Sequence, residues 1–120
     1  MPSAVNKESV NDRAKLLMHR LIARRLAQDP ALVEQARGLV RRRLAEGAAL
    51  DCAAEWDRLL GRGPADVRRA IVSRNAKMTR FRLSSPLPSL VGFQDEALRR
   101  RIWRKAKLTL AGPVETMSLI

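Results

Sequence analysis

Few side chains in this sequence are of the kinds that catalyse reactions. Nucleophilic and general-base catalysis usually rely on histidine, cysteine or a pair of carboxylates held in a pocket. The chain contains one histidine, His19, and one cysteine, Cys52, far apart in the sequence. His19 lies beside Met18 and Arg20, off the main apolar stripe of a predicted helix, which favours a solvated or partly buried structural role over proton transfer. The sequence therefore predicts a protein that binds a partner and is not an enzyme.

Acidic residues that could hold a metal ion occur together at Asp51, Glu55 and Asp57. Spaced histidine and cysteine ligands and a glycine-rich phosphate loop are missing, so a helix cap and a solvated helix face explain these acids more simply. Cys52 excludes an intrachain disulfide, and its position in an apolar helical pattern indicates a small buried side chain. We predict neither a metal site nor a cofactor.

Positive charge is the strongest chemical signal in the sequence. The chain carries 24 Lys and Arg against 12 Asp and Glu, which gives a net charge of +12. Such an excess attracts polyanions and acidic proteins electrostatically. Residues 31–60 contain as many acidic as basic side chains, whereas Asp66 is the only acid in residues 61–90. The excess is therefore local, and it indicates a particular binding surface.

The first predicted binding segment contains six basic side chains, Arg68, Arg69, Arg74, Lys77, Arg80 and Arg82. Arg74, Lys77 and Arg80 follow at three-residue steps, so they share one face if that segment is helical. Such a ridge can neutralise nucleic-acid phosphates or receive an acidic segment of another protein. A solvated helix face is the alternative. The final predicted helix adds three further candidates, Arg100, Arg101 and Arg104.

Helices must position these side chains, because no strand-like pattern occurs. Aromatic residues make up 3% of the chain, Tyr is absent, and β-branched residues nowhere alternate with polar ones over a strand length. A chain of 120 residues fits one core. We predict an all-α, compact single-domain bundle of about five to six short helices over residues 9–110, between flexible tails at 1–8 and 111–120.

The helix limits follow from apolar spacing and from cap and breaker residues. The predicted helices are 9–28, 30–46, a third between Leu50 and Leu60 with Asp51 as its cap, a fourth from Pro64, a fifth from Ser73 or Asn75 to Leu83, and a last from about 93 to 108. Two prolines are expected to hold residues 84–89 in an extended loop. Trp56 and Trp103 are predicted as core anchors, with interface hot spots as the alternative.

The third and fourth predicted helices also have about the lengths of a helix-turn-helix motif. Arg68 and Arg69 would then lie near the start of its second helix. The small residue expected in the first helix and the apolar spacing across the turn cannot be aligned without strain. Sequence-specific DNA recognition by this motif is therefore disfavoured.

Short motifs run along most of the chain: Leu17-Met18-His19-Arg20, Ala23-Arg24, Asp29-Pro30, Glu55-Trp56, Leu59-Leu60, Gly63-Pro64, Arg80, Ser85-Pro86 and an Arg/Trp-rich final helix. Over about residues 14–105 this succession resembles a family of small bacterial all-helical proteins similar to components of toxin–antitoxin modules. It departs from the family at Leu87 and Pro88, where that family has Phe-Ala, and it lacks a Thr-Pro cap before the last helix. The resemblance implies a bacterial origin and a binding role, as the neutralising partner in a two-gene module.

Three functions follow from these observations as alternatives. The first is an antitoxin-type regulator that binds a cognate protein from a neighbouring gene, with operator DNA as an additional partner. The second is a basic nucleic-acid-binding protein that contacts the backbone of DNA or RNA. The third is the toxin member of a two-gene module, since antitoxins are often acidic and this chain is basic. A homo-oligomer is left open in each case.

The expected location is the cytoplasm. Polar and charged residues occupy the N-terminal positions where a secretory signal would need an apolar segment. No apolar run approaches transmembrane length, so no membrane partner is predicted.

Overall fold

The computed structural model describes residues 7–47, 52–90 and 94–118, with side chains described for 7–47, 52–89 and 94–110. Within these ranges the chain forms seven α-helices, one 3₁₀ turn and no strand. The helices are α1 (Lys7–Gln28), α2 (Ala31–Ala45), α3 (Ala53–Leu60), α4 (Pro64–Ile71), α5 (Ala76–Phe81), α6 (Leu87–Leu90) and α7 (Glu96–Ser118), with the 3₁₀ turn at Arg82–Ser84 between α5 and α6. The predicted all-α class is confirmed, and the described part of the chain holds one helix more than the upper predicted number.

Helix α1 is the element on which most of the others pack. It contacts α4, α6, α7 and the 3₁₀ turn, and to a smaller extent α2. Met18, Ile22 and Leu26 are buried at four-residue spacing, which is the pattern of an amphipathic helix facing a core. Full burial of such a side chain contributes about 1.5–3 kcal/mol. The apolar spacing of α1 therefore places it at the centre of the molecule.

Trp56 anchors the second half of the core, as the sequence predicted. It lies on α3, which packs against α2, and it is 1% exposed. Its indole ring stacks on Phe81 of α5 with ring centroids 4.1 Å apart and an interplanar angle of 7°. The indole Nε1 donates a hydrogen bond to Ser84 Oγ at 3.1 Å, so the buried polar atom is satisfied. This one side chain joins α3 to α5 and to the 3₁₀ turn.

Two of the short helices, α4 and α5, begin where the sequence indicates helix starts. Gly63 has a φ of 103°, a conformation that favours glycine, and Pro64 is the first residue of α4. Asn75 caps α5, since its side-chain oxygen accepts a hydrogen bond from the Met78 amide at 2.7 Å. Leu50 and Asp51, predicted to begin and cap the third helix, lie outside the described residues, and α3 begins at Ala53.

The predicted extended loop at residues 84–89 is partly wrong. Ser85 is extended before Pro86, as expected for a residue that precedes proline. Leu87–Leu90 then form the single turn of α6. Pro88 is accommodated because amide hydrogens in a first helical turn have no intrahelical partner to lose. Leu87 is fully buried against the core.

The final helix is longer than predicted. Its first turn is capped by Asp95, whose carboxylate accepts from the amides of Ala97 and Leu98 at 3.3 Å. The backbone remains helical as far as Ser118, through most of the segment predicted as a C-terminal tail. Pro113 lies inside this helix, although a proline in a helix interior removes one backbone hydrogen bond and is disfavoured there. At the other end α1 begins at Lys7, inside the predicted N-terminal tail.

No helix in the described part of the chain combines the length and the apolar character needed to cross a membrane.

Candidate polyanion-binding surface

Arginines from two neighbouring helices meet along the joint between α1 and α4. We call this surface the basic seam and define it by six side chains, Arg13, Arg20, Arg24, Arg68, Arg69 and Arg74. At one end, Arg24 of α1 and Arg68 and Arg69 of α4 line a shallow groove of about 460 Å³. The floor of that groove is formed by three alanines, Ala23, Ala27 and Ala65.

The other end of the basic seam holds Arg13, Arg20 and Arg74. The pKa of Arg13 is lowered first by burial and then by the positive charges of Arg74 and Arg20, so both of these side chains lie within electrostatic range of Arg13. Arg13 also donates from Nε to Thr109 Oγ1 of α7 at 3.1 Å, which fixes its side chain. Like charges repel, so this arrangement costs free energy that an anionic ligand would recover.

Helix geometry explains why these residues share a surface. Arg13, Arg20 and Arg24 are separated by seven and four residues, which places them on one side of α1. The stripe extends about 16 Å along the helix axis at 1.5 Å per residue. On α4, Val67 and Ile71 are fully buried, and this leaves Arg68 and Arg69 exposed. The apolar faces that join the elements therefore turn both sets of arginines outward.

Arg82 does not lie on this surface, although the sequence predicted it as a binding residue. It is 2% exposed, and its Nη1 donates to the carbonyl oxygens of Ile71 at 3.0 Å and Ser73 at 2.7 Å. These are carbonyls at the C-terminal end of α4, which has no helical partner for them. Arg82 therefore acts as a cap for α4, and burial prevents it from contacting a macromolecule.

The guanidinium group of Arg82 is buried, and not all of its donors have hydrogen-bond partners among the described residues. Its Nε is buried without a hydrogen-bond partner among the described residues. Burial lowers the pKa of Arg82 most, Asp12 raises it, and Arg20 of the basic seam lowers it. Arginine nevertheless stays protonated in proteins, so Arg82 adds positive potential beneath the seam.

A second basic region lies between α3 and α5, and we call it the α3–α5 groove. Its volume is about 710 Å³, and it is lined by Arg37, Glu55, Arg58, Leu59, Gly61, Arg62, Ala70, Ser73, Asn75, Lys77, Met78 and Phe81. The structure thus separates residues that the sequence grouped together. Lys77 lines this groove, Arg68 and Arg69 line the seam, and Arg80 is exposed on α5 outside the lining of either region.

Arg37 forms one wall of the α3–α5 groove, and the carboxylate of Asp57 holds its side chain in place. Asp57 Oδ1 accepts from Arg37 Nε at 3.0 Å and from Arg41 Nε at 2.9 Å. The hydrogen bond from Arg37 is the largest cause of the lowered pKa of Asp57, ahead of the opposing effect of burial and the bond from Arg41. Gly61 provides the space, because a Cβ atom there would lie 2.7 Å from the Arg37 guanidinium.

The remaining predicted binding residues lie on α7. Arg100 and Arg104 line a shallow depression of about 540 Å³ together with Glu96, Arg99 and Trp103, all on one face of the helix. Arg101 is exposed but is not part of that lining. Trp103 packs partly against the core and keeps part of its surface accessible, so it combines features of both predicted roles.

His19 is a fully buried structural residue. Its Nδ1–H donates to the Lys15 carbonyl oxygen at 2.7 Å, and its Nε2 accepts from Ser85 Oγ at 2.8 Å. Burial is the main reason that the pKa of His19 falls to about 4, which keeps the ring neutral near pH 7. A base of such low pKa is poorly suited to activating Ser85, whose hydroxyl also accepts from the Leu87 amide. The structural role was predicted, but the complete burial was not.

Sequence reasoning missed Arg13, Arg20 and Arg24. Their seven- and four-residue spacing is visible in the sequence, but acidic residues flank them at positions 12 and 29, whereas the run from Arg68 to Arg82 contains no acid. Among the described residues, no group of three or more His, Cys, Asp or Glu side chains could hold a metal ion. Comparisons of the chain with protein-family models, with curated proteins and with solved structures gave no match.

Proposed function

We propose that this protein is a non-catalytic nucleic-acid-binding protein whose basic seam binds the phosphate backbone. The observation that carries the proposal is that Arg24, Arg68 and Arg69 line one groove, while Arg20 and Arg74 act electrostatically on Arg13, farther along α1 on the same side of that helix. Among the described seam residues, the one ion pair joins Arg69 to Asp66 at 3.7 Å. An exposed pair of this kind contributes about 0–1 kcal/mol, so it leaves the arginine available.

The floor of the basic seam also favours a phosphate backbone. Ala23, Ala27 and Ala65 present no bulky side chain, so a sugar–phosphate chain can approach both helices closely. They also offer no side-chain hydrogen bonds to bases, and base contacts are what specify sequence. The length of the α1 stripe, about 16 Å, corresponds to about five base-pair steps at 3.4 Å each. We therefore expect binding with little dependence on base sequence.

The test is the salt dependence of binding to a fluorescent duplex and to a fluorescent single strand. Four to six phosphate contacts predict a slope of log affinity against log salt of roughly −4 to −5 for the duplex. The variant Arg24→Ala/Arg68→Ala/Arg74→Ala should weaken binding and make the slope shallower by about 2.7, since each contact contributes about 0.9.

A control with the same loss of charge separates the basic seam from net charge. The variant Arg25→Ala/Arg42→Ala/Lys105→Ala removes three exposed basic side chains from outside the seam. It should keep a slope close to that of the natural protein. Equal losses in both variants, or binding that does not respond to salt, would exclude the seam as the binding surface.

The predicted antitoxin-type role stays a prediction, as does the toxin alternative. Several motif residues behind that resemblance have structural roles in this fold: His19 bonds Ser85, Trp56 stacks on Phe81, and Gly63 and Pro64 begin α4. The resemblance therefore bears on the fold more than on a partner. Co-purification with the product of the neighbouring gene would support either module role, and growth arrest on expression alone would indicate the toxin.

A further inference from the structure

The α3–α5 groove has a different floor from the basic seam, and this difference points to a different ligand. Leu59, Met78 and Phe81 line the groove and are each 9% exposed. Leu60 and Ile71, which lie on α3 and α4 but do not line it, are 0% exposed. The remaining accessible surface of the three large apolar side chains therefore faces the groove. A ligand that inserts apolar side chains would remove this surface from water.

The rim of the same groove is basic. Arg58, Arg62 and Lys77 are exposed along it. Arg62 Nε lies 3.8 Å from Asp66 Oδ2. An exposed ion pair of this kind is weak, so Arg62 can still pair with a ligand. Arg37 is already paired with Asp57, and Glu55 is the one acid among the described lining residues. The rim thus keeps a positive excess beside an apolar floor.

A nucleic acid fits this groove less well than it fits the basic seam. Base stacking needs an exposed aromatic face, but Phe81 is almost completely buried and one of its faces is covered by Trp56. Aliphatic side chains need no ring face, so they suit this floor better than bases do.

From these contacts we infer that the α3–α5 groove binds an acidic amphipathic segment of a protein partner. In this arrangement, apolar side chains of the segment contact Leu59, Met78 and Phe81 while its carboxylates pair with Arg58, Arg62 and Lys77. A volume of about 710 Å³ is within the range of protein ligand pockets and accommodates a few apolar side chains. An amphipathic helix presents such side chains at positions i, i+3, i+4 and i+7.

The wall formed by Arg37 gives the groove a preset shape. Asp57 holds the guanidinium on one side, and Gly61 allows it to lie against the α3–α4 turn. Arg41 bonds the same carboxylate oxygen, so the wall spans α2 and α3. A surface that is already ordered loses less conformational entropy on binding.

The experiment uses a synthetic peptide with leucines at i, i+3, i+4 and i+7 and glutamates at the other positions. A scrambled peptide of the same composition and a lysine-for-glutamate peptide are the ligand controls. Methyl-labelled methionine allows NMR detection in the full chain. The Met78 methyl resonance should shift with the amphipathic acidic peptide, while Met18, buried on α1 away from the groove, should not.

Charge reversal on the rim provides the second measurement. Arg58→Glu/Lys77→Glu should weaken peptide binding by about tenfold or more, because two attractive contacts become repulsive. Arg25→Glu/Arg42→Glu, an equal charge change at exposed positions outside both regions, should change it little. The reversed variant should still bind the duplex through the basic seam, so failure here is distinct from failure of the proposed function.

Three results would overturn the inference. Equal binding of the scrambled peptide would show attraction by charge alone. A Met78 shift produced by a single-stranded oligonucleotide, with none from the peptide, would assign the groove to nucleic acid. The absence of any Met78 shift with the amphipathic peptide would show that the groove does not accept such a segment.

Discussion

The basic seam and the α3–α5 groove carry the same kind of charged rim over different floors. Arginines surround both regions. The floor of the seam is formed by Ala23, Ala27 and Ala65, whereas the floor of the groove is formed by Leu59, Met78 and Phe81. The groove also contains acidic side chains: Glu55 is part of its lining, and Asp57 pairs with Arg37 in its wall. The comparison shows that positive charge locates where an anionic partner is attracted, while the floor determines which chemical class of partner can make close contact.

The difference arises from how each region is built. The seam follows the joint of two packed helices, where small residues bring the backbones near the surface. The groove lies among three short helices and the turn at Gly61, where core side chains are incompletely covered. The following four predictions test whether the two regions are independent, beginning with the largest effect.

Arg82→Met should destabilise the whole protein by about 2–4 kcal/mol, because the buried carbonyl of Ile71 and the partly buried carbonyl of Ser73 lose a charged donor. Both regions should then lose binding together, since α4 contributes to each. Urea denaturation measures the change. Arg80→Met makes the same charge change at an exposed site and should cost less than about 0.5 kcal/mol. Similar effects of the two substitutions would contradict the capping role of Arg82.

Acidification should destabilise the protein through His19. Its pKa is about 4 in the folded chain and 6.5 ordinarily, so the unfolded chain binds the proton first as the pH falls. The stabilisation is complete above pH 6.5 and is lost toward pH 4, by about 2–3 kcal/mol between pH 7 and pH 4.5.

Denaturation of the His19→Gln variant beside the natural protein isolates this contribution, because the carboxylates titrate in both. The difference in stability between the two proteins should shrink as the pH falls. Arginine stays charged throughout this range, so any loss of nucleic-acid binding should follow unfolding. A constant difference between the two proteins would contradict the low pKa of His19.

Ala65→Glu places a carboxylate on the floor of the basic seam and should weaken duplex binding by roughly tenfold, or about 1.4 kcal/mol. Ala65 is exposed, so stability should change by less than about 0.5 kcal/mol. Peptide binding in the α3–α5 groove should be unaffected. Ala65→Gln is the matched neutral substitution in fluorescence anisotropy, and an equal loss with Gln would attribute the effect to bulk.

Gly61→Ala should keep stability within about 1 kcal/mol of that of the natural protein. The backbone at Gly61 is right-handed helical, which alanine adopts easily, but the added Cβ must displace the Arg37 guanidinium. The pKa of Asp57 should rise toward its ordinary value as the Arg37 bond is lost, and NMR titration of the carboxyl carbon detects this. Gly38→Ala, where a Cβ meets nothing within 4 Å, is the control. An unchanged pKa of Asp57 would show that Arg37 does not depend on Gly61.

Local features of the fold could be predicted well from particular residues. Pro64 begins α4, Asn75 caps α5, and Trp56 anchors the core, each as its sequence neighbours indicate. Helix ends set by weaker signals were predicted less well. Pro88 falls in the first turn of α6, where its missing amide hydrogen costs nothing. Pro113 falls inside α7, where a proline is disfavoured, so neither residue marks a helix end.

The candidate sites show where prediction from sequence ends. Arg68, Arg69 and Arg74 were identified from a run without acids, but their neighbours Arg13, Arg20 and Arg24 lie more than forty residues earlier in the chain. Arg82 belongs to the same run and is buried. Charge patterns along a chain do not distinguish a solvated arginine from one that caps a helix inside the core.

By itself, the sequence determined the all-α class, most helix starts and the surplus of positive charge, because apolar spacing, caps and charge act within a few residues. Only the tertiary structure decided which arginines share a surface, which one is buried, and where apolar side chains remain accessible. Those properties depend on which helix faces pack together, and that pairing is set by the burial of residues distant in the sequence.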